Sequence, residues 1–253
     1  MRRTTPPNPP PRTAADLEQL VRAYEELAQR AIHDLRAPIR ATVGFSELLA
    51  THAGPGLSAD ARRYLERIRE GAERLRGRMD AFSDHCSVLR RVPQPADVDV
   101  ASVVAAALRH VGADLEAVAR DSDLEIAPDL PVVRADATLL SRALLEVLRN
   151  ALKFRRPGVR ARIRVHAGRA GDAWEIAVDD EGPGVPAAGL LEQAAEPFRR
   201  LHGDEYADGA GMGLATACLA LRMQGGALRL EQRPPPGGLS AVLSLPASPL
   251  AGA

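Results

Sequence analysis

The segment AIHDLRAPIR, residues 31–40, carries a histidine directly followed by an aspartate within a helical pattern. A carboxylate beside an imidazole can hold its tautomer and accept its proton, so Asp34 makes His33 a candidate for chemistry. On a helical wheel, His33 is predicted to face solvent. The apolar residues on the other side of the helix are Ile32, Leu35, Ile39 and Val43. An exposed helical histidine is also an ordinary surface residue, so this segment alone leaves both interpretations open.

A proline follows the histidine after five residues. Pro38 has no backbone N–H, and its ring clashes with the carbonyl four residues back, so the helix is predicted to loosen at Asp34. A simple bend without a functional role explains the same proline equally well.

Two glycine clusters lie far along the chain. The first, DDEGPGVP, contains Asp180, Gly182 and Gly184, and the second, ADGAGMGLATA, leads into a helical pattern. The glycines of the second cluster are Gly209, Gly211 and Gly213. Glycines before a helix N-terminus let backbone amides approach a phosphate. Loops are often rich in glycine, so either cluster alone is a weak signal.

A third group of polar residues lies on the helical segment EVLRNALK. Glu146 and Asn150 are four residues apart, and Lys153 follows three residues later, so all three share one helix face. A carboxylate, a neutral oxygen ligand and a cation suit Mg²⁺ and phosphate oxygens. The polar face of a surface helix accounts for the charges but not for the nearby glycine clusters.

Two long helices must position the histidine. The helical pattern runs from Asp16 to about Ala50, and Ser58 is predicted to cap a second helix that reaches Leu89. Apolar residues in both helices alternate at spacings of three and four, as in a coiled-coil seam. A two-helix hairpin buries little surface, so we expect a homodimer through residues 16–92 that forms a four-helix bundle.

A different kind of domain follows two prolines, Pro93 and Pro95. Alternating strands such as ARIRVHAG and AWEIAVDD, and amphipathic helices such as ATLLSRALLEVLRNALKF, predict a two-layer α/β sandwich with helices on one face of a mixed sheet. The predicted parts are a disordered leader (1–15), the hairpin (16–92), a linker (93–98), the sheet domain (99–247) and a tail (248–253).

Composition limits the class of protein. The 253 residues include 33 basic and 33 acidic side chains, so no net positive charge favours nucleic acid or anionic lipid. Cys86 and Cys218 lie in helical apolar patterns without the spacing of a metal site or a disulfide framework. No stretch is apolar enough to span a membrane, so we expect a soluble, cytoplasmic chain.

Taken together and in order, these motifs resemble the catalytic core of a bacterial sensor histidine kinase, from about residue 16 onward. The family's boxes correspond to HDLRAP, NALKF, DDEGPG, EPFRRLH and GAGMG. The sequence around these boxes is similar to that of the kinase modules of the phytochrome-like group. The resemblance implies a phosphoacceptor hairpin followed by an ATP-binding domain of the GHKL type.

The resemblance also implies roles for individual residues. His33 is expected to be the phosphoacceptor and Asp34 the general base that polarises it. Asn150 is expected to bind Mg²⁺ between the ATP phosphates and Lys153 to contact phosphate, with Phe154 near the adenine. Mg²⁺, the lysine and the glycine amides then supply the charge neutralisation that phosphoryl transfer needs.

On the same basis, Asp180 is expected to accept the adenine amino group in a pocket shaped by Gly182 and Gly184. The glycines expected to hinge the lid and receive the phosphates are Gly209, Gly211 and Gly213. Phe198 is expected to anchor that lid, which runs from Pro186 to Asp208. The phosphoryl group is expected to pass to an aspartate of a response-regulator receiver domain, with input from a sensor domain or protein outside this chain.

Three positions depart from the family pattern. Glu146 stands where members often have Asn, and related ATPases place a water-activating Glu there, so it is expected to add a metal ligand or some ATP hydrolysis. Ala37 stands where kinases with phosphatase activity carry Thr or Asn, which predicts weak or absent phosphatase activity. Glu181 replaces the usual Asn of the DDEGPG box. The alternative function is a histidine phosphotransfer or scaffold protein with an inactive ATP domain.

Overall fold

The structure of the protein is a computed structural model that describes residues 13–53, 56–114, 122–156, 158–185, 188–199, 209–234 and 237–247. The chain divides into two compact units between Met79 and Asp80, and each unit is described by itself. The predicted leader, from residue 1 to 12, and the predicted tail, 248–253, lie outside the described residues.

The first unit is built from two long helices. Helix α1 spans Ala14–Ala53 and helix α2 spans Ala59–Leu89, and the last turns of α2 belong to the second unit. Ser58 caps α2 as predicted, since its Oγ accepts the backbone N–H of Ala61 at 3.2 Å. Helix α1 continues through Pro38 without ending, so the loosening predicted at Asp34 does not break the helix.

Burial along the two helices follows the spacing of packed helices. Ile32, Ile39 and Val43 are buried on α1, and Leu65 and Ala72, seven residues apart, are buried on α2. Other apolar residues of the two helices are exposed in the single chain, namely Leu35, Ile68 and Leu75. The side of α1 opposite His33 is therefore buried at Ile32, Ile39 and Val43 and exposed at Leu35 in the single chain.

The second unit contains seven strands and three further helices among its described residues. In chain order they are β1 (Ala96–Asp99), α3 (Val100–Asp114), β2 (Ser122–Ile126), β3 (Val132–Ala135), α4 (Ala137–Lys153), β4 (Ala161–Ala170), β5 (Ala173–Asp180), α5 (Gly213–Arg222), β6 (Ala227–Gln232) and β7 (Leu239–Pro246). Two short 3₁₀ turns, Ala188–Leu190 and Glu192–Ala195, lie between β5 and α5.

The main sheet has five strands in the order β2-β4-β5-β7-β6. The β2 and β4 strands are parallel, and the remaining neighbours are antiparallel. Buried Ile163 and Val165 alternate with exposed Arg162 and Arg164 on β4, because one face meets the helices and the other meets solvent. The predicted mixed sheet with helices on one face is confirmed.

The stretch predicted as a linker, 93–98, is held in the second unit. Its last residues form β1, which pairs antiparallel with β3, and the N–H of Gln94 donates to the Asp136 carboxylate at 2.8 Å. The prolines end helix α2 as expected, but the chain after them joins a small two-stranded sheet. None of the helices in the described ranges has the length and apolar character needed to cross a membrane.

Candidate functional site

The His33–Asp34 pair lies on the exposed side of α1. The His33 side chain is 89% exposed and the Asp34 side chain 80%, as the helical wheel predicts for the histidine. His33 Nδ1 lies 3.2 Å from Asp34 Oδ1. A carboxylate can only accept a hydrogen bond, so Nδ1 carries the proton and Nε2 keeps its lone pair. The geometry therefore leaves Nε2 as the nucleophilic nitrogen.

Helix α4 carries the polar group of the NALKF box. Asp136 caps this helix by accepting the N–H groups of Thr138 and Leu139 at 2.9 and 3.0 Å. The helix buries its apolar face in the core, where Leu140, Leu144 and Leu148 are fully buried. The cap and the core together hold the polar residues of α4 in one position along the sheet domain.

Glu146 is buried and has an ion-pair partner that the sequence analysis did not identify. Arg142 Nη2 lies 2.9 Å from Glu146 Oε1, and Arg149 Nη1 lies 3.7 Å from the same oxygen. The signal was present in the sequence, because Arg142 and Glu146 are four residues apart on one helix. Any role of Glu146 toward a metal has to compete with these two guanidinium groups.

The NALKF helix meets the second glycine cluster at two points. Gly209 packs against the Lys153 ammonium closely enough that a β-carbon there would collide with it. A β-carbon on Gly213 would lie 3.0 Å from Glu146 Oε2. Among the described residues, nothing hydrogen-bonds to the side-chain amide of Asn150. The amide oxygen of Asn150 is therefore available to a ligand.

The second glycine cluster also meets the EPFRRLH segment. Gly211 has a φ of +70°, and a β-carbon there would lie 2.7 Å from the Arg199 carbonyl oxygen. Phe198 has a φ of +62°, which is strained for a residue with a side chain, and is 51% exposed. The two ends of the predicted lid, Pro186 and Asp208, lie outside the described residues.

Asp180, at the end of β5, has one oxygen held by the protein. Its Oδ1 accepts the N–H groups of Gly182 at 2.8 Å and Leu239 at 3.1 Å, whereas the described residues supply no partner to Oδ2. Burial raises the pKa of Asp180, and the two backbone hydrogen bonds oppose that rise. Gly182 lies directly against the carbonyl of Phe154, which caps α4. The adenine-side residues are thus brought next to the NALKF helix.

The last turns of α2 contact the same region of the second unit. The rings of Phe82 and Phe198 are 5.7 Å apart between centroids, and Arg142 Nη2 lies 2.9 Å from Asp84 Oδ2. The apolar spacing of α2 accounts for Phe82 as packing surface, but no pattern in the sequence indicates the contact of Asp84. Arg142 therefore joins α2 to the carboxylate of Glu146.

His85, in the same turn, is bound to helix α5. Its Nδ1 lies 3.1 Å from Thr216 Oγ1, which itself donates to the Met212 carbonyl at 2.9 Å. Thr216 has used its hydrogen, so His85 Nδ1 is the donor. Burial lowers the pKa of His85, and the positive charge of Arg142 lowers it further. Both effects disfavour the protonated, charged form of the ring.

The structure thus gathers the NALKF, DDEGPG, EPFRRLH and GAGMG residues in one region of the second unit, while His33 and Asp34 belong to the first. The described residues contain no group of three or more His, Cys, Asp or Glu side chains arranged to hold a metal. A region with an available carboxylate oxygen, an available amide oxygen and a lysine against a glycine loop suits a nucleotide with its phosphates.

Two family models match the chain in the order of these two units. The His Kinase A (phospho-acceptor) domain matches residues 23–84, and the Histidine kinase-, DNA gyrase B-, and HSP90-like ATPase matches residues 135–249. The first match contains His33 and the second contains every residue assigned to the nucleotide region of the sheet domain.

The chain is similar over most of its length to longer proteins that have curated descriptions. Phytochrome-like protein Cph1 of Synechocystis sp. is 29% identical over 89% of this chain, which spans 30% of that protein. Sensor-like histidine kinase SenX3 of Mycobacterium tuberculosis is 31% identical over 92% of this chain, which spans 56% of that protein. The chain therefore spans only about a third to a half of these relatives.

A solved structure has the same architecture over most of the chain. Full-length ShkA in complex with AMPPNP is 25% identical and has a TM-score of 0.60, covering 90% of this chain and 47% of that one. Together with the two family matches and the ordered motifs, this likeness identifies the chain as a sensor histidine kinase catalytic core, with a phosphoacceptor hairpin followed by a GHKL-type ATPase domain.

Proposed function

We propose that the chain is an ATP-dependent protein-histidine kinase that phosphorylates its own His33 and passes the phosphoryl group to a response-regulator aspartate. The observation that carries this proposal is the exposed His33–Asp34 pair, whose 3.2 Å contact assigns the proton to Nδ1 and the lone pair to Nε2. The family matches support it, because His33 falls within the phosphoacceptor match.

In the proposed reaction, the lone pair of His33 Nε2 attacks the γ-phosphorus of ATP. A P–N bond forms while the bond from the γ-phosphorus to the bridging oxygen breaks, and ADP leaves with that electron pair. Asp34 takes the Nδ1 proton as the ring gains positive charge, so the phosphorylated imidazole becomes neutral. The exposure of His33 is required twice, first for the ATP domain and then for the receiver domain.

The nucleotide is proposed to bind in the region that the glycine clusters and α4 share. Asp180 Oδ2 would accept the adenine amino group, since Oδ1 is already held by two N–H groups. Lys153 and the amides near Gly209, Gly211 and Gly213 would meet the phosphates at the start of α5. The AMPPNP in the ShkA complex supports an adenine nucleotide here.

A magnesium ion is proposed to be held chiefly by Asn150, with Glu146 as a second ligand. Mg²⁺ commonly uses one or two protein oxygens together with substrate phosphates and water, which fits a region without a larger acidic cluster among the described residues. When bound there, Mg²⁺ would neutralise charge on the ATP phosphates. Asn150 fits this role better than Glu146, whose Oε1 is held by Arg142.

The partners proposed for this core are a second copy of the chain and a receiver domain. The phosphoacceptor match and the exposed apolar residues Leu35, Ile68 and Leu75 support a dimer through the hairpin. Ala37 cannot orient a water molecule for attack on a phosphorylated partner, so phosphatase activity is proposed to be weak or absent. A soluble cytoplasmic location is proposed because the proposed reaction consumes ATP, which is a cytoplasmic nucleotide.

Labelling with γ-labelled ATP and Mg²⁺ tests the proposal. We expect acid-labile label on the protein, and its loss in His33→Ala and Asn150→Ala. His52→Ala is the matched control, because His52 is also exposed on α1 but its Nδ1 lies against the Leu48 carbonyl rather than an acid. Label that survives in His33→Ala overturns the assignment. A parent protein that binds ADP but takes no label favours the phosphotransfer or scaffold alternative.

A further inference from the structure

The end of strand β6 lies against the loop that carries Asp180. Gln232 is the last residue of β6, and Arg233 follows it. Both side chains contact the segment 180–185, which begins with Asp180 and contains Gly182 and Gly184. Neither residue belongs to the motifs that carry the family resemblance.

Arg233 holds the backbone of Asp180 itself. Its Nη1 donates to the Asp180 carbonyl oxygen at 2.9 Å, and its Nη2 lies 3.9 Å from Asp179 Oδ2. The guanidinium also opposes the rise that burial causes in the pKa of Asp180. Arg233 therefore acts on both the position and the charge of the carboxylate.

Gln232 holds the other end of the loop. Its Oε1 accepts the N–H of Val185 at 2.9 Å, and its amide group lies directly over Gly184. Gly184 has a φ of +70°, a left-handed conformation that only glycine adopts easily. The side chain of Gln232 covers this turn, where a β-carbon would collide with it.

The start of β7 completes the set of contacts. The N–H of Leu239 donates to Asp180 Oδ1 at 3.1 Å, and the N–H of Arg233 donates to the Gly238 carbonyl at 3.0 Å. The β6–β7 connection thus contacts Asp180 at its carbonyl and its Oδ1, and contacts Val185 at its N–H. Oδ2 is the oxygen that these contacts leave for a ligand.

We propose that Arg233 and Gln232 are positioning residues that fix the Asp180 carboxylate for recognition of the adenine amino group. Arg233 orients Asp180, and Gln232 holds the loop in the shape that presents Oδ2. This inference rests on the proposed function of the chain, because it assumes an adenine nucleotide at Asp180. It requires that the two residues affect the amino group of the base and not the phosphates.

Isothermal titration calorimetry, which measures the affinity for each of two nucleotides, tests the proposal. ADP carries the 6-amino group, whereas the diphosphate of purine riboside has only hydrogen at that position. Losing a hydrogen bond to a charged group weakens binding by roughly ten-fold, so we expect Arg233→Gln to bind ADP about ten-fold more weakly. We expect its affinity for the 6-hydrogen analogue to stay within about two-fold of the parent, since that nucleotide makes no such bond.

Arg229→Gln is the matched control. Arg229 lies on β6, four residues before Arg233, and also has charged partners. Its Nη2 lies 3.0 Å from Glu175 Oε1, and it has a second contact to Glu231. Neither of these partners belongs to the 180–185 segment. We expect this variant to bind both nucleotides as the parent does. Arg233→Lys keeps the positive charge and is expected to recover part of the lost ADP affinity.

Gln232→Leu gives a second, milder test because it removes one neutral hydrogen bond from an exposed side chain. A smaller loss for ADP than in Arg233→Gln, again without a loss for the analogue, supports the proposal. Equal losses for both nucleotides, or unchanged ADP affinity in both variants, overturn it. A parent protein that binds neither nucleotide overturns the proposed function as well. The failure of this inference and the failure of the proposed function are therefore distinguishable.

Discussion

At the scale of single residues, two buried acids show how this chain accommodates charge. Glu146 and Asp136 are both buried, and each is held by an arginine. Removing one partner of a buried ion pair leaves an uncompensated charge, which costs more than the pair itself contributes. Changing either member of such a pair is therefore expected to lower the stability of the folded chain.

Replacing Arg142 with Gln is expected to destabilise the second unit by about 2–3 kcal/mol, because Glu146 would keep only the more distant Arg149. Urea unfolding followed by circular dichroism measures this change. Arg149→Gln is the control and is expected to cost less than about 1 kcal/mol, since its contact is longer. Equal effects of the two variants would contradict the assignment of Arg142 as the main partner.

Asp136 leads to a prediction about pH. Burial alone would raise its pKa, but the N–H groups of Gln94 and Leu139 and the guanidinium of Arg91 hold it below its ordinary value of 3.8. A lowered pKa in the folded state means stability that is present above 3.8 and lost as the pH falls through the folded pKa. Asp136 therefore stabilises the native state as an anion.

Asp136→Asn is expected to lower the free energy of unfolding by about 2–3 kcal/mol near neutral pH, since the anion accepts several charge-assisted hydrogen bonds. The difference from the parent should shrink below pH 3.8, where the parent carboxylate begins to take up its proton. Unfolding free energies measured across this pH range give the result. The exposed Asp97, which pairs with Arg134 at 3.3 Å, provides the control Asp97→Asn, and a pH-independent difference at Asp136 would refute the prediction.

At the scale of elements, the last turns of α2 contact helix α4, helix α5 and the segment that contains Phe198. Phe82 meets Phe198, Asp84 meets Arg142 of α4, and His85 meets Thr216 of α5. Each contact reaches a different element of the second unit. One helical turn thus contacts the EPFRRLH segment, the helix that carries NALKF and the helix after the GAGMG loop.

Phe82→Ala is expected to loosen the segment around Phe198, because it removes a ring contact from a residue with a left-handed backbone. A tilted aromatic pair contributes roughly 0.5–1.5 kcal/mol, so amide hydrogen exchange over 192–199 should become up to about ten-fold faster. Phe45→Ala removes an exposed phenylalanine of α1 and should leave this segment unchanged. Unaltered exchange in Phe82→Ala would show that the ring contact does not hold the segment.

The comparison of sequence with structure also belongs to this scale. Periodicity was sufficient for both long helices and for the mixed sheet, because each element has its own apolar repeat. It also indicated a short strand followed by a helix after Pro95, but it did not reveal that this strand, β1, pairs with β3, since a pairing partner lies outside the local pattern. Arg233 was missed for the same reason, because nothing near it in sequence indicates a contact with Asp180.

The residues of the candidate site also fall into those that the sequence indicates and those that it does not. Local motifs identified Asp180, Asn150 and the glycines, because each carries a characteristic residue type at a short spacing. The partners of these residues come from distant segments. Asp84 reaches Arg142 across 58 positions of the chain, and Arg233 reaches Asp180 across 53, and no pattern within a single element encodes such a pair.

At the scale of the whole molecule, the histidine proposed as phosphoacceptor and the region proposed to bind the nucleotide lie in different units. The proposed reaction requires the two to meet, and the hairpin that carries His33 has apolar side chains that the single chain leaves exposed. Ile68 and Leu75 lie seven residues apart on α2 and are both about half exposed, which is the spacing of one face of a helix packed against another.

A dimer that buries this face is the prediction for the molecule as a whole. The parent protein is expected to have twice the chain mass of 27.0 kDa in light scattering, and the double variant Ile68→Glu with Leu75→Glu is expected to be a monomer, because a helix bundle does not accept buried, unpaired carboxylates. Val92→Glu adds a charge at another exposed apolar residue, beyond the end of α2, and should leave the dimer intact. A parent protein of single-chain mass contradicts the bundle, and a double variant that remains dimeric places the interface on another face.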